Sequence, residues 1–261
     1  MAASETDRLI YGHRKYAALH LMLSRLIRHS STPGSEYIYV TLGGTELRDV
    51  QSIRFIDPKL ITKVFSFENR KERFHLAEKT VSNLQSHGLS IRLTHGSFFD
   101  YRRTEETPHI FFLDLEGICA TWGGYDDKLG EMFQNEVIRE GDLLLITSGL
   151  GRDKGIKEIF TAFSGEYSVL NVTDDGEARK LYRRSHPSFT LFKGLNKKGL
   201  LGELQVRCLG CIKYKDPKRF PMGLYGYAVT KGVTNLKKLV NDTNIQYFDM
   251  NHLQCCVLGD F

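Results

Sequence analysis

The stretch Tyr37-Ile38-Tyr39-Val40-Thr41-Leu42-Gly43-Gly44-Thr45-Glu46-Leu47-Arg48-Asp49 decides how the rest of the chain is read. Tyr37 to Leu42 joins aromatic, β-branched and aliphatic residues, the composition of a buried strand. It stops on two glycines. A glycine pair at a strand's C-terminal end lets the backbone turn tightly and approach a ligand, because no Cβ stands in the way. A second run, Val64 to Phe67, ends in Glu68-Asn69. In a doubly wound nucleotide-binding sheet, an acid at that tip can hydrogen-bond a ribose. Each feature taken alone is also an ordinary turn and an ordinary surface acid.

Working outward, Tyr16 to Arg28 carries apolar residues at helical spacing and predicts an amphipathic helix ahead of the first strand. Ser30 to Gly34 reads as a turn, and Leu47 to Ile56 as a short helix closed by Asp57-Pro58. Arg70 to His87 repeats apolar residues every three or four positions and ends at Gly88. Leu89 to Thr94 is a third strand, leading to Ser97-Phe98. Thr107 to Leu113 is a fourth, leading to Asp114 and Glu116. The spacing then predicts a helix over Asp126 to Arg139, a fifth strand over Leu143 to Thr147, and a helix from Gly155 to Phe163. A short strand over Tyr167 to Val172 follows. Ala178 to Arg184 and Phe189 to Leu195 read as two short helices split at His186-Pro187. Glu203 to Lys215 and Met222 to Lys231 read as an antiparallel hairpin, followed by a helical piece at Leu236 to Val240. Strand–helix alternation predicts an α/β fold, a doubly wound and mostly parallel sheet with helices on both faces.

The 261 residues suit one such domain, expected as a helical lead-in (1–34), a core (35–172), a basic insertion with the terminal hairpin (173–231) and a tail (232–261). Met1 to Arg8 is polar and carries acids, so no signal peptide is expected, and no stretch is apolar enough to span a membrane. Five cysteines, an odd number, argue against a disulfide framework and for a reducing, cytoplasmic setting. An extended strand would point Cys208 and Cys211 to opposite faces, so no metal site is expected there or at Cys255 and Cys256. The net charge of +5 is unevenly spread: residues 177–220 hold twelve Lys/Arg against three acids, a local +9, and the remainder carries −4. Local charge of this kind speaks to a partner rather than to the fold.

Glycines after strand one, an acid after strand two, Ser97-Phe98 after strand three, an acid after strand four and a closing hairpin all coincide. In this order of elements the chain resembles the class I S-adenosylmethionine-dependent methyltransferases, over roughly residues 37–231. The resemblance implies a seven-stranded sheet with its last strand antiparallel and S-adenosyl-L-methionine as cofactor. It implies that Thr41, Gly43 and Gly44 form the loop beside the methionine moiety, and that Glu68 and Asn69 meet the ribose. Ser97 and Phe98 would flank the adenine, with Asp114 beside the methyl group. The first motif departs from the family, which carries an acid and alternating glycines where this chain has Thr41-Leu42-Gly43-Gly44. Asp114, Glu116 and Tyr125 are the groups available to the chemistry, Asp114 and Glu116 being the catalytic candidates. A helix or turn cap is the structural alternative for Asp114. Cys119 is read as a small hydrophobe rather than a nucleophile.

Aromatic residues interleaved with cations in 177–220 suit a nucleic acid, RNA foremost, docked through Arg179, Arg183, Arg184, Lys197 and Lys198. A solvated basic surface is the plain alternative, and with it a small-molecule or protein acceptor, or a binding module without catalysis.

Overall fold

The computed structural model describes residues 5–28, 36–42, 44–56, 59–118, 124–150, 175–215, 220–245 and 247–249. The turn at 30–34, Asp57-Pro58, Cys119, the elements expected over 155–172, and Cys255 and Cys256 lie outside these residues. Eight strands form one sheet: β1 (Tyr37–Thr41), β2 (Ile61–Glu68), β3 (Ser90–His95), β4 (His109–Ile118), β5 (Leu143–Gly149), β6 (Leu204–Lys215), β7 (Pro221–Lys231) and β8 (Tyr247–Asp249), in the order β3-β2-β1-β4-β5-β7-β6-β8. Strands β1 to β5 run parallel, and β7 is antiparallel between β5 and β6, as the resemblance implies. The addition is β8, which pairs in parallel with Cys211 to Lys213 and is tied there by Lys213 Nζ to Asp249 at 2.7 Å.

The helices among the described residues are α1 (Glu5–Arg28), α2 (Arg48–Ile56), α3 (Lys71–Ser86), α4 (Tyr125–Gln134), α5 (Asp175–Lys197) and α6 (Leu236–Ile245). Two apolar layers hold them to the sheet. Leu19, Met22, Leu23, Val50, Ile53 and Val81 from α1, α2 and α3 pack on one face. Leu129, Met132, Phe133, Leu191, Leu195 and Leu239 from α4, α5 and α6 pack on the other. The central strands β1 and β5 are buried along their whole lengths, which is why they read as continuous apolar runs. At the strands' N-terminal edge, Arg103 grips the fully buried Asp142 at 2.7 and 3.0 Å, and Asp142 also accepts the backbone N–H of His109 at 2.8 Å.

Two expectations change. The pair of helices around Pro187 is one helix, α5. Proline removes one backbone donor, but Tyr182 and the residues on every side of the helix from Ser185 to Leu191 are fully or almost fully buried, and that burial carries the helix through the lost bond. Cys208 and Cys211 share a face after all. A register shift between Cys208 and Gly210 adds the extra residue of a bulge, so both thiols lie in the same apolar layer as free cysteines. Burial pushes the Cys208 thiol up to about 11, making it an inert hydrophobe.

Candidate functional site

The tips of β1, β2, β3 and β4 open into one cleft of about 550 Å3. Gly44, Glu68, Asn69, Ser97, Phe98 and Asp114 all line it, brought together by the sheet from different strands, although β4 runs on to Ile118 and so carries Asp114 within the strand rather than after it. Tyr125, at the start of α4, lines it too. Gly43 and the side chain of Glu116 lie outside the described residues.

Gly44 takes φ +57°, a conformation that glycine adopts without strain, and a Cβ there would come within 3.5 Å of Arg73. Glu68 closes β2 with its side chain 8% exposed; one oxygen accepts the Arg70 backbone N–H at 2.9 Å, and the other faces Arg73 Nε at 3.4 Å. Ser97 caps a 3-10 turn over Phe98–Asp100 by accepting from the Phe99 N–H, while Asp100 accepts from the Ser97 N–H. That reciprocal cap fixes the aromatic wall. Phe98 is buried against Phe67 and Phe111, whereas Phe99 faces Tyr125 at 5.5 Å with Lys128 5.1 Å above its ring.

Thr41 does not line the cleft. It is fully buried beneath it, where its hydroxyl donates to Asp49 Oδ2 at 2.7 Å. Tyr39 donates to the same oxygen at 2.9 Å. Asp49 itself lines the cleft from the first turn of α2, and burial holds its carboxyl above the usual range although both hydroxyls favour the charged form. In the sequence Asp49 reads as a first-turn acid of a short helix; the only pointer to it was the missing acid before the glycines.

The far wall comes from α1. Lys15 and Tyr16 line the cleft, and Lys15 forms an ion pair with Asp114 whose side chains are only 22% and 19% exposed. The second oxygen of Asp114 accepts from Thr147 at 2.8 Å. Burial works against the Lys15 ammonium, but the Asp114 carboxylate and the hydrogen bond to it, with Tyr214 and Tyr16, raise its pKa above the ordinary lysine value. Burial pushes the Tyr16 hydroxyl up to about 12. Both are therefore proton-bearing at neutral pH. Asp114 has both oxygens engaged and is a held group rather than a free base.

Three cations of the basic segment have acidic partners on or beside α4. Lys197 pairs with Asp126 at 2.9 Å and Asp127 at 2.7 Å, Lys193 with Asp126 at 3.4 Å, and Lys198 with Glu131 at 4.0 Å. These cations bind α5 to α4. Arg184 is half-buried, and the side chains of Arg179 and Arg183 lie outside the described residues. At the cleft, Arg70 and Lys128 are exposed and have no carboxylate partner among the described residues. Among those residues no three His, Cys, Asp or Glu side chains gather as a metal site, and no helix is long and apolar enough to cross a membrane.

No protein-family model matches this chain, and no curated protein matches it in sequence. Among solved structures it is similar to an S-adenosylmethionine-dependent methyltransferase from Clostridium acetobutylicum, with 12% identity and a TM-score of 0.47 over 83% of this chain and 92% of that one. It is also similar to the tRNA methyltransferase TrmK of B. subtilis, with 8% identity and a TM-score of 0.43 over 81% of this chain and 65% of that one. A third similar structure is Trm5b from Pyrococcus abyssi, with 10% identity and a TM-score of 0.41 over 81% of this chain; the chain spans 49% of Trm5b. At these identities and TM-scores the chemistry of the cleft has to be read from its own residues.

Proposed function

We propose that this protein transfers a methyl group from S-adenosyl-L-methionine to an acceptor held at the mouth of the cleft. The observation that carries the reading is the convergence of Gly44, Glu68, Ser97-Phe98 and Asp114 in one cleft at the strand tips. The donor set fits the cofactor. Glu68 is a cleft-facing carboxylate suited to ribose hydroxyls, Phe99 and Tyr125 offer aromatic faces for a purine, and Gly44 leaves room for close backbone approach. When bound, the cofactor supplies a methyl group on a sulfonium, ready for in-line attack by a nucleophile.

The chain's own part is mainly to position the reactants. Asp114 has both oxygens engaged, Asp49 has Oδ2 held by two hydroxyls beneath the cleft, and Tyr16 keeps its proton, so we read none of these three as a ready base. We therefore read the acceptor as one that brings its own lone pair. The exposed Arg70 and Lys128 at the cleft support a polyanionic acceptor, RNA foremost, over a small neutral one. Cofactor binding is tested by calorimetry with S-adenosylhomocysteine. Saturable binding supports the reading. No heat at high protein concentration would leave a methyltransferase-shaped module without catalysis.

A further inference from the structure

Phe74 is an aromatic side chain that the core leaves over. Phe74, Ala77, Val81 and Leu84 form one apolar stripe along α3. Ala77 and Val81 are buried, and Leu84 packs against the apolar layer on that face of the sheet. Phe74 stands one turn nearer the helix start, half-buried, and belongs to neither apolar layer. The sheet runs out beside it. β2 and β3 end in register at Glu68 and His95, and the Phe74 ring lies against His95 with centroids 5.3 Å apart and planes tilted by 51°. His75 adds a second ring at 5.8 Å, edge to face. Both histidines are exposed, so the three rings make an aromatic ledge outside the core.

The ledge is held in place and borders the cleft. His95 Nε2 lies 3.2 Å from the Asn69 carbonyl oxygen, and His75 Nδ1 lies 2.9 Å from a Glu78 carboxylate oxygen. Asn69 and Gly96, on either side of the His95 contact, line the cleft. Arg70 sits one helical turn before Phe74, its carbonyl accepting the Phe74 N–H at 2.9 Å. Arg70 and Lys71 are both exposed, and neither has a carboxylate partner among the described residues. Of the acids nearby, Glu68 faces Arg73 and Glu78 faces His75, which leaves Glu72 as the exposed acid of this turn against two cations.

Ring faces beside cations suit a ligand that is flat and anionic in alternation. A polyanion without rings would use the cations and leave the ledge wet. An apolar peptide would cover the rings and leave the cations without a counter-charge. A single nucleic-acid strand brings both, a base to stack and a phosphate on each side of it. A duplex keeps its bases stacked on one another and offers the ledge phosphates alone. We infer that Phe74 and His95 form a base-stacking step for single-stranded RNA at the rim of the cleft, with Arg70 and Lys71 on its phosphates. The inference rests on the polyanion reading of the acceptor and narrows it to an unpaired strand.

Fluorescence anisotropy on the full chain tests it with a labelled oligouridylate strand, its duplex with oligoadenylate, and inorganic polyphosphate as an unlabelled competitor. Phe74→Ala should weaken the strand by about fivefold or more, the scale of one lost base stack, with the salt slope unchanged. Duplex and polyphosphate should bind the variant within about twofold of the parent, because neither offers a free base. Phe74→Trp should bind the strand as tightly as the parent or more tightly. Phe74→Leu keeps the apolar cover over His95 without a ring face, and shows the same loss where Phe74→Ala does not fold. Parent-like strand binding by the folded alanine or leucine variant overturns the ledge and leaves the polyanion reading standing. An equal loss for strand and polyphosphate does the same, since Phe74 would then only prop the nearby cations. A parent that binds none of the three probes overturns both, and S-adenosylhomocysteine calorimetry still reads the cofactor site by itself.

Discussion

Thr41 and Asp49 are joined by a 2.7 Å hydrogen bond beneath the cleft, strand residue donating to helix residue. This bond ties the end of β1 to the start of α2 across the glycine turn, and Tyr39 adds a second donor to the same oxygen. Asp49→Ala leaves two buried hydroxyls without their acceptor and should cost about 1–3 kcal/mol in urea unfolding at neutral pH. Asp49→Asn retains a carbonyl oxygen that can accept from both and should cost less. An alanine variant within about 0.5 kcal/mol of the parent would show that the turn is held by something else.

Glu68 gives the next prediction. Its cleft-facing carboxylate is proposed to meet the ribose, so Glu68→Ala should weaken S-adenosylhomocysteine binding by about 1.5–3 kcal/mol while the chain stays folded. Gly44→Val should be worse, since a branched side chain at φ +57° is strained and also fills the approach to the cofactor. Calorimetry reads both. Parent-like affinity in either variant would remove that residue from the site.

Much of this arrangement was legible beforehand, for a physical reason. Glycines, an acid and a serine at successive strand tips are local signals, and a parallel sheet necessarily collects its strand ends on one side. Lys15 and Asp49 were not legible as site residues. Lys15 reaches Asp114 across 99 positions, and Asp49 reaches back to Thr41 from a helix, so neither contact has a characteristic spacing. The ion pairs of Lys197 and Lys198 were not legible for the converse reason: a count of cations does not see that Asp126, Asp127 and Glu131 lie opposite them on another helix. The bulge in β6 is equally silent in the letters, yet it decides which way Cys211 points.

A pH dependence follows from two buried histidines. His109 faces the Thr107 carbonyl at 2.7 Å through Nδ1 and the Tyr101 hydroxyl at 2.7 Å through Nε2, which fits a neutral ring donating to the carbonyl and accepting from the tyrosine. Burial first, then the nearby Arg103, lowers its pKa from 6.5 to about 3. Burial lowers His186 from 6.5 to about 3 as well. Unfolding therefore takes up protons between these values. The stability from each neutral histidine is complete above pH 6.5 and is lost as pH falls from there toward 3, at about 1.4 kcal/mol per pH unit. Urea midpoints measured between pH 7 and 5 should fall accordingly, and less steeply in His109→Gln. An identical slope in that variant would place the titration elsewhere.

The last prediction separates two sets of cations with different work to do. Lys197 and Lys198 face Asp126, Asp127 and Glu131 within 4.0 Å, so reversing them to Glu puts like charges across the α4–α5 seam. These side chains are 37% and 22% exposed, and solvent screens such pairs to about 0–1 kcal/mol each. The double reversal should lower the melting temperature by a few degrees at most, on the scale of about 1–2 kcal/mol. Arg70 and Lys128 have no carboxylate partner among the described residues, and reversing them should leave the stability within about 0.5 kcal/mol per site of the parent. If a single-stranded RNA docks at the cleft mouth, its affinity should fall with salt at a slope of about −0.7 per phosphate, and the Arg70→Glu, Lys128→Glu variant should lose about two phosphates' worth of that slope. Gel-shift titrations at two salt concentrations, paired with thermal melts, read both quantities for both variants. Binding abolished by the Lys197 and Lys198 reversal but untouched by the Arg70 and Lys128 reversal would move the docking surface to α5. Binding that neither salt nor either variant alters would end the polyanion reading, because a phosphate backbone held by cations has to respond to both.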